Sequence, residues 1–288
     1  MAAPLAACAA ANTPQACRLV PAAETALTLQ GGRAIVAVTL DGQPARLMLD
    51  TGSNVMLLSE AAVRRLGLRY DLRFTVNIAT IGAHGLSRAT EPVTIGIGAA
   101  QLEPVNMLVA GPETGISMSQ GVDGLLGTGA LAAYDLDIDL PHGRLGLYQP
   151  RRCPATSPLD GAAVTFQVSP NPGRRMHVPV QVDGRELSLL VDTGATATYL
   201  NEQRTGLDPA ALATDRELPI HSAGPDGTRV HAHRFARFAL GHHRVDHPTL
   251  LVGPLQTGED GLLGIDYLRH RRLWLSFAGW AVTLQQPP

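Results

Sequence analysis

The chain has 288 residues, 45% of them apolar and 17% charged, with a formal net charge of -2. Such a composition builds one large β domain or two of ordinary size, and the near-neutral charge gives nucleic acid or an anionic membrane surface little to hold. No apolar run is long enough to cross a bilayer as a helix. The 30 Gly and 21 Pro point to many tight connections, hence to β structure. All 23 basic residues are Arg, which fits the codon bias of a GC-rich genome.

The N-terminal stretch MAAPLAACAAANTPQAC is Ala-rich and lacks the charged region of a complete signal peptide. Leu5 to Cys8, LAAC, resembles the lipobox of bacterial lipoproteins, and a low-complexity tail gives the same composition. If Cys8 carries lipid, the chain is tethered at the periplasmic face or elsewhere in the cell envelope, and Cys17 and Cys153 remain as a candidate disulfide. If the protein is cytosolic, all three are free thiols. Residues 1–30 are assigned to a tail or tether and 31–150 to a first lobe.

In that lobe, Ile35 to Leu40 and Ala45 to Leu49 flank Asp41-Gly42, a hairpin signal. The second strand runs into Asp50-Thr51-Gly52-Ser53. A carboxylate at the end of an apolar run is expensive to bury alone, so Asp50 needs a partner. Short strands are expected at 54–58, 73–80, 86–97, 104–110, 135–140 and 144–148. A short helix is expected from Ser59, a fair N-cap, to Gly67. The Pro-rich stretch 148–163 has no periodic pattern, and 151–172 is read as a linker to a second lobe at 173–288.

The partner for Asp50 lies in the second lobe. VTLDGQPARLMLDTGSN, from Val38, aligns without a gap on VQVDGRELSLLVDTGAT, from Val180, at an offset of 142 that carries Asp50 onto Asp192. DGLLGTGAL, from Asp123, aligns on DGLLGIDYL, from Asp260, at an offset of 137. The chain is therefore two copies of one unit of about 120 residues. The second copy repeats the hairpin, with Asp183-Gly184 between Arg174–Val182 and Glu186–Val191.

Two Asp-Thr-Gly triplets, each followed by an apolar-apolar-Gly motif (Leu125-Leu126-Gly127 and Leu262-Leu263-Gly264), resemble the aspartic proteases over roughly residues 31–285. The small lobes are similar to the retropepsin-like branch, as if its homodimer were fused into one chain. No Tyr stands between 75 and 90, and the six-Cys pattern of many secreted pepsins is missing. The resemblance implies an all-β, bilobal fold with Asp50 and Asp192 meeting at the floor of an interlobe cleft. It implies an aspartic endopeptidase acting on polypeptide, needing no cofactor or metal and active as a monomer. The alternative is a catalytically silent relative that binds peptide or glycan.

Two carboxylates about 3 Å apart interact by about 5 kcal/mol at an effective dielectric near 20, or ~4 pKa units. They therefore hold one proton between them and supply an acid and a base together, which is the established behaviour of this family's dyad. By the same resemblance Thr51 and Thr193 cross-bond the lobes, and Gly52 and Gly194 let backbone N–H groups approach the carboxylates. Ser53 is expected to donate its hydroxyl to Asp50, whereas Ala195 at the matching position cannot. Asp50 should then be the more acidic member, Asp192 should carry the proton, and the working pH should rise. Flaps over the cleft are expected at Thr80 to Leu86, with Ile81, Gly82, Ala83, His84 and Gly85 at the tip. The second is expected at Ser222 to Thr228, with Gly224, Pro225, Asp226 and Gly227.

Other polar groups read as structural. His231 and His233 share a strand face without a third ligand at convincing spacing, so a solvated face is expected there rather than a metal. Asp123 and Asp260 read as turn caps. Asp135, Asp137 and Asp139 alternate along one strand and are expected to face solvent.

Overall fold

The computed structural model describes residues 19–80, 83–110, 121–150, 157–159, 161, 163–220, 228–255 and 257–285. Lobe 1 begins with strands β1 (Pro21–Gln30), β2 (Arg33–Leu40), β3 (Gln43–Asp50) and β4 (Leu57–Ser59), then helix α1 (Glu60–Arg65). It continues through β5 (Tyr70–Thr80), β6 (Ala83–Thr90), β7 (Ile95–Ile97), β8 (Ala100–Gln101), β9 (Leu108–Ala110) and β10 (Gly124–Gly127). Helix α2 (Thr128–Leu131), β11 (Asp135–Asp139) and β12 (Arg144–Tyr148) close it. Lobe 2 runs β13 (Ala163–Gln167), β14 (His177–Val182), β15 (Arg185–Val191), β16 (Tyr199–Asn201), α3 (Glu202–Thr205), α4 (Pro209–Leu212), β17 (Arg216–Ile220) and β18 (Thr228–Arg234). It ends with β19 (Arg237–Leu240), β20 (His243–Asp246), β21 (Thr249–Gly253), β22 (Gly261–Leu263), α5 (Ile265–Leu268), β23 (Arg272–Ser276) and β24 (Ala281–Gln285).

Local sequence explains the elements nearest the site. Leu40 pairs with Gln43 and Val182 with Arg185, so Asp41-Gly42 and Asp183-Gly184 are two-residue turns. All four residues have positive φ (47° and 82°, 48° and 81°), the geometry that matches strand twist and that Asp-Gly tolerates. Ser59 caps α1 by accepting the Ala62 N–H at 3.1 Å. Lobe 1 keeps the repeat's most telling arrangement: β10 lies parallel to β3, with Gly127 level with Asp50, and antiparallel to β4. In lobe 2, β22 sits parallel to β15 and antiparallel to β16 in the same way. Asp123 and Asp260 hold these insertions by accepting the Arg46 and Ser188 backbone N–H groups at 2.9 and 3.0 Å.

The lobes are joined by one antiparallel sheet in the order β13-β24-β23-β11-β12-β1. β11 and β23 are counterparts in the two copies, and they pair with Asp137 opposite Trp274. Those two residues stand at the 137 offset of the repeat, so the pseudo-two-fold axis passes between them. Leu136, Ile138, Leu273 and Leu275 are fully buried here, in a core continuous between the lobes.

Three sequence expectations need correction. Residues 21–30, expected in the tail, form β1, which pairs with β12 through its first part and β2 through its second. Its pattern hides it, because only Ala23 and Leu27 of its ten residues are buried. Residues 163–167, expected in the linker, form β13, an edge strand that pairs with β24 alone among the described strands. Asp135, Asp137 and Asp139 are buried rather than solvated. Asp137 accepts Arg272 Nε and Nη2 at 2.7 and 2.6 Å, and Arg144 Nη2 at 3.2 Å. Asp139 accepts His142 at 2.9 Å, and Asp135 accepts the Ala278 N–H at 3.4 Å.

The Asp137–Arg272 pair spans the lobes, and truncating one member leaves a buried charge behind. Asp137→Ala should lower the unfolding free energy by about 3 kcal/mol. The double variant Asp137→Leu/Arg272→Met should recover most of that loss. Urea denaturation checks both, and a single variant as stable as the wild type would contradict the assignment.

Candidate active site

The site forms where β3 and β15 end. Asp50 is the last residue of β3, and Asp192 directly follows β15. Thr51 Oγ1 donates to Val191 O at 2.6 Å and accepts the Thr193 N–H at 3.1 Å. Thr193 Oγ1 donates to Leu49 O at 2.8 Å and accepts the Thr51 N–H at 3.1 Å. These four bonds cross between the lobes, and both threonines are buried. The cross-bonding expected of Thr51 and Thr193 is present in full.

The glycines fit as closely. A Cβ on Gly52 would lie 2.5 Å from Asp192 Cγ, and a Cβ on Gly194 would lie 2.5 Å from Asp50 Cγ. Each carboxyl group is thus packed against the other lobe's glycine. Any larger residue would push the two acids apart.

The carboxyl groups of Asp50 and Asp192 hydrogen-bond to each other. Asp192 is buried and Asp50 half-buried. Asp50 is held well above the usual carboxylate range, first by burial, then by the charge of Asp192 and the hydrogen bond between them. Burial also raises Asp192, against the N–H groups of Gly194 (2.8 Å) and Ala195 (3.1 Å), the hydrogen bond from Asp50 and the positive charge of Arg175. Burial thus pushes both acids up, and the pair holds one proton between them.

The expectation of which acid carries the proton rested on the Ser53 hydroxyl, and the structure takes that ground away. The Ser53 hydroxyl accepts the Val55 N–H at 3.2 Å inside its own turn, and it has no bond to Asp50 among the described residues. Backbone N–H groups serve both acids: Gly52 donates to Asp50 at 2.9 Å, and Ala195 donates to Asp192 whatever its side chain. The Ser53/Ala195 difference thus gives no ground for a raised working pH. Arg175 went unnoticed in the sequence. Its only local signal is that it stands at the repeat offset from Arg33.

Both expected flap regions fall on hairpins. β5 and β6 pair out to Thr80 opposite Ala83, and β17 and β18 out to Ile220 opposite Thr228. Ile81, Gly82, Gly224, Pro225, Asp226 and Gly227 lie outside the described residues, as do Cys8, Cys17 and Cys153. Ala83, His84 and Gly85 belong to β6 by backbone pairing, and their side chains lie outside the description. Leu72, Phe74, Val76 and Leu86 on the first hairpin are exposed apolar side chains. In the second, His233 is paired with Asp215 at 2.7 Å and stacked edge-on against Phe235, which makes it partly buried rather than solvated.

Two β lobes that share a grip-bonded pair of carboxyl groups define the bilobal aspartic proteinase architecture. The structure is similar to the aspartic proteinase from Irpex lacteus, with a TM-score of 0.58 and 13% identity, covering 92% of this chain and 97% of that one. At this identity the likeness speaks for the fold. The sequence profile described as aspartyl protease matches residues 36–130 and 178–267. The chain belongs to that family. No curated protein sequence matches it.

Because the folded-state pKa of Asp50 is raised, the folded protein holds a proton that the unfolded chain releases. This contribution to stability is fully present below about pH 4, the ordinary Asp value, and is lost as pH rises through the dyad's elevated value. Asp50→Asn carries no charge at any pH and escapes the loss. It should melt above the wild type at neutral pH, with the gap closing toward acid. Thermal unfolding across pH checks this, and a gap that opens only in acid would contradict the direction.

Proposed function

We propose that the protein is an aspartic endopeptidase that hydrolyses polypeptide through a water activated between Asp50 and Asp192. One observation carries the reading: the Thr51–Thr193 bonds hold two buried carboxyl groups together, each packed on the other lobe's glycine, where they must share one proton. The ionised member of the dyad takes a proton from the water as the protonated member donates to the scissile carbonyl oxygen. The water oxygen bonds to the carbonyl carbon to give a gem-diol. A proton passed to the amide nitrogen then lets the C–N bond break. The dyad ends with its one proton restored.

Both acids come from one chain, so a monomer suffices. An extended peptide in the cleft would lie under the β5–β6 hairpin and pair with backbone as an added strand. The exposed apolar side chains of that hairpin are of a kind that a bound peptide covers.

The test is cleavage of a mixed peptide library from about pH 3 to pH 8. The wild type should cut, and Asp50→Asn and Asp192→Asn should each lose on the order of 10³-fold in kcat/KM. If the folded wild type cuts nothing at any pH, the reading fails. Ser53→Ala should leave the shape of the pH–rate profile unchanged, because its hydroxyl is engaged with Val55 rather than Asp50. A profile displaced toward alkaline pH would restore the role first expected of that hydroxyl.

A further inference from the structure

A pocket of about 520 Å³ opens on lobe 2, lined by Pro170, Asn171, Gly173, Arg175, His177 and Glu259. It lies beside the dyad: Met176, between Arg175 and His177, accepts the backbone N–H of Val191 at 2.8 Å, one residue before Asp192. Three ionisable side chains form its wall. Arg175 Nη1 bonds one oxygen of Glu259, and His177 Nε2 meets the other at 2.5 Å. Both carboxylate oxygens are thereby engaged. The Nε and Nη2 groups of Arg175 have no partner among the described residues. Asn171 fixes the base of the arginine, accepting its N–H and donating to its carbonyl, each at 2.8 Å.

The fold itself does not need this cluster. At the repeat offsets, His177 corresponds to Ile35 and Glu259 to Val122, and both lobe 1 residues are buried apolar side chains. Arg175 keeps an arginine counterpart in Arg33, but the two groups it meets in lobe 2, His177 and Glu259, are replaced by hydrocarbon in lobe 1. Partly buried ion pairs are seldom more stabilising than apolar residues of similar volume, so stability does not account for the difference. Recognition does. A basic side chain entering the pocket would meet Arg175 and a carboxylate already occupied twice. An apolar one would strip water from guanidinium donors and give nothing back. An incoming carboxylate finds those donors unpaired.

We propose that this pocket is a specificity subsite that receives an acidic side chain of the polypeptide substrate, with Arg175 as the recognising cation and Glu259 as the positioning residue that aims it. The proposal rests on reading the cleft as one that binds peptide.

The test reads binding and turnover separately. Peptides that differ only by Glu for Gln, exchanged one position at a time, are titrated calorimetrically against the Asp50→Asn/Asp192→Asn double variant. Their kcat/KM is measured on the wild type. At one position Glu should bind about tenfold tighter than Gln. That ratio should fall to about one when Arg175→Met is added and persist with Arg175→Lys. Glu259→Gln, which frees the guanidinium from its internal carboxylate, should widen it. Equal binding of Glu and Gln peptides at every position overturns the proposal, and so does a Glu preference that survives Arg175→Met. A wild type that cuts nothing, together with a Glu preference that Arg175→Met abolishes, would overturn the protease reading and leave the subsite standing.

Discussion

Two carboxyl groups 142 positions apart in the chain must share one proton, and nearly everything near the cleft follows from that demand. Left alone, two buried acids repel when charged and lose hydration in either state. Four hydrogen bonds between Thr51, Thr193 and the backbone of Leu49 and Val191 resist this by locking the ends of β3 and β15 together. The bonds are reciprocal, each threonine hydroxyl donating to a carbonyl of the other lobe and accepting its partner's N–H. Neither lobe can complete the set alone. The dyad is thus a property of the interface between lobes, and the sheet that joins them belongs to the site as much as the acids do.

Much of this was legible in the chain itself. Asp-Gly turns, the Ser59 cap and the paired Asp-Thr-Gly triplets are local signals whose geometry follows from the residues that bear them. The internal repeat then located the second acid. What escaped depends on residues far away in sequence. β1 and β13 carry little periodic pattern and exist because distant strands offer them edges. The carboxylates of β11 read as a wet face because their main counter-charges are Arg144 and Arg272, the latter in the other lobe.

The role expected of the Ser53 hydroxyl failed for another reason. Side-chain identity suggested that Ser53 would favour charge on Asp50. The deciding donors are backbone N–H groups, which every residue but Pro supplies. Arg175, a residue at the start of lobe 2, adds a smaller charge effect on Asp192, and its nearness to that acid emerges only when β14 folds onto β15. The same arginine anchors the pocket beside the dyad, so its charge acts on both the acids and the proposed subsite.

The pseudo-two-fold axis meets the chain's two copies in places with opposite histories. At the dyad the matching residues are identical, because the chemistry needs both. At the joining sheet they have diverged, and Asp137 faces Trp274. Either half-chain, paired with a copy of itself in this arrangement, would set Asp against Asp or Trp against Trp on the axis, where like charges or two indoles must occupy the space shaped for one of each. A symmetric dimer of half-chains is disfavoured at this contact, and each lobe of the single chain can carry features, such as the ion triad of lobe 2, that a homodimer would have to carry twice.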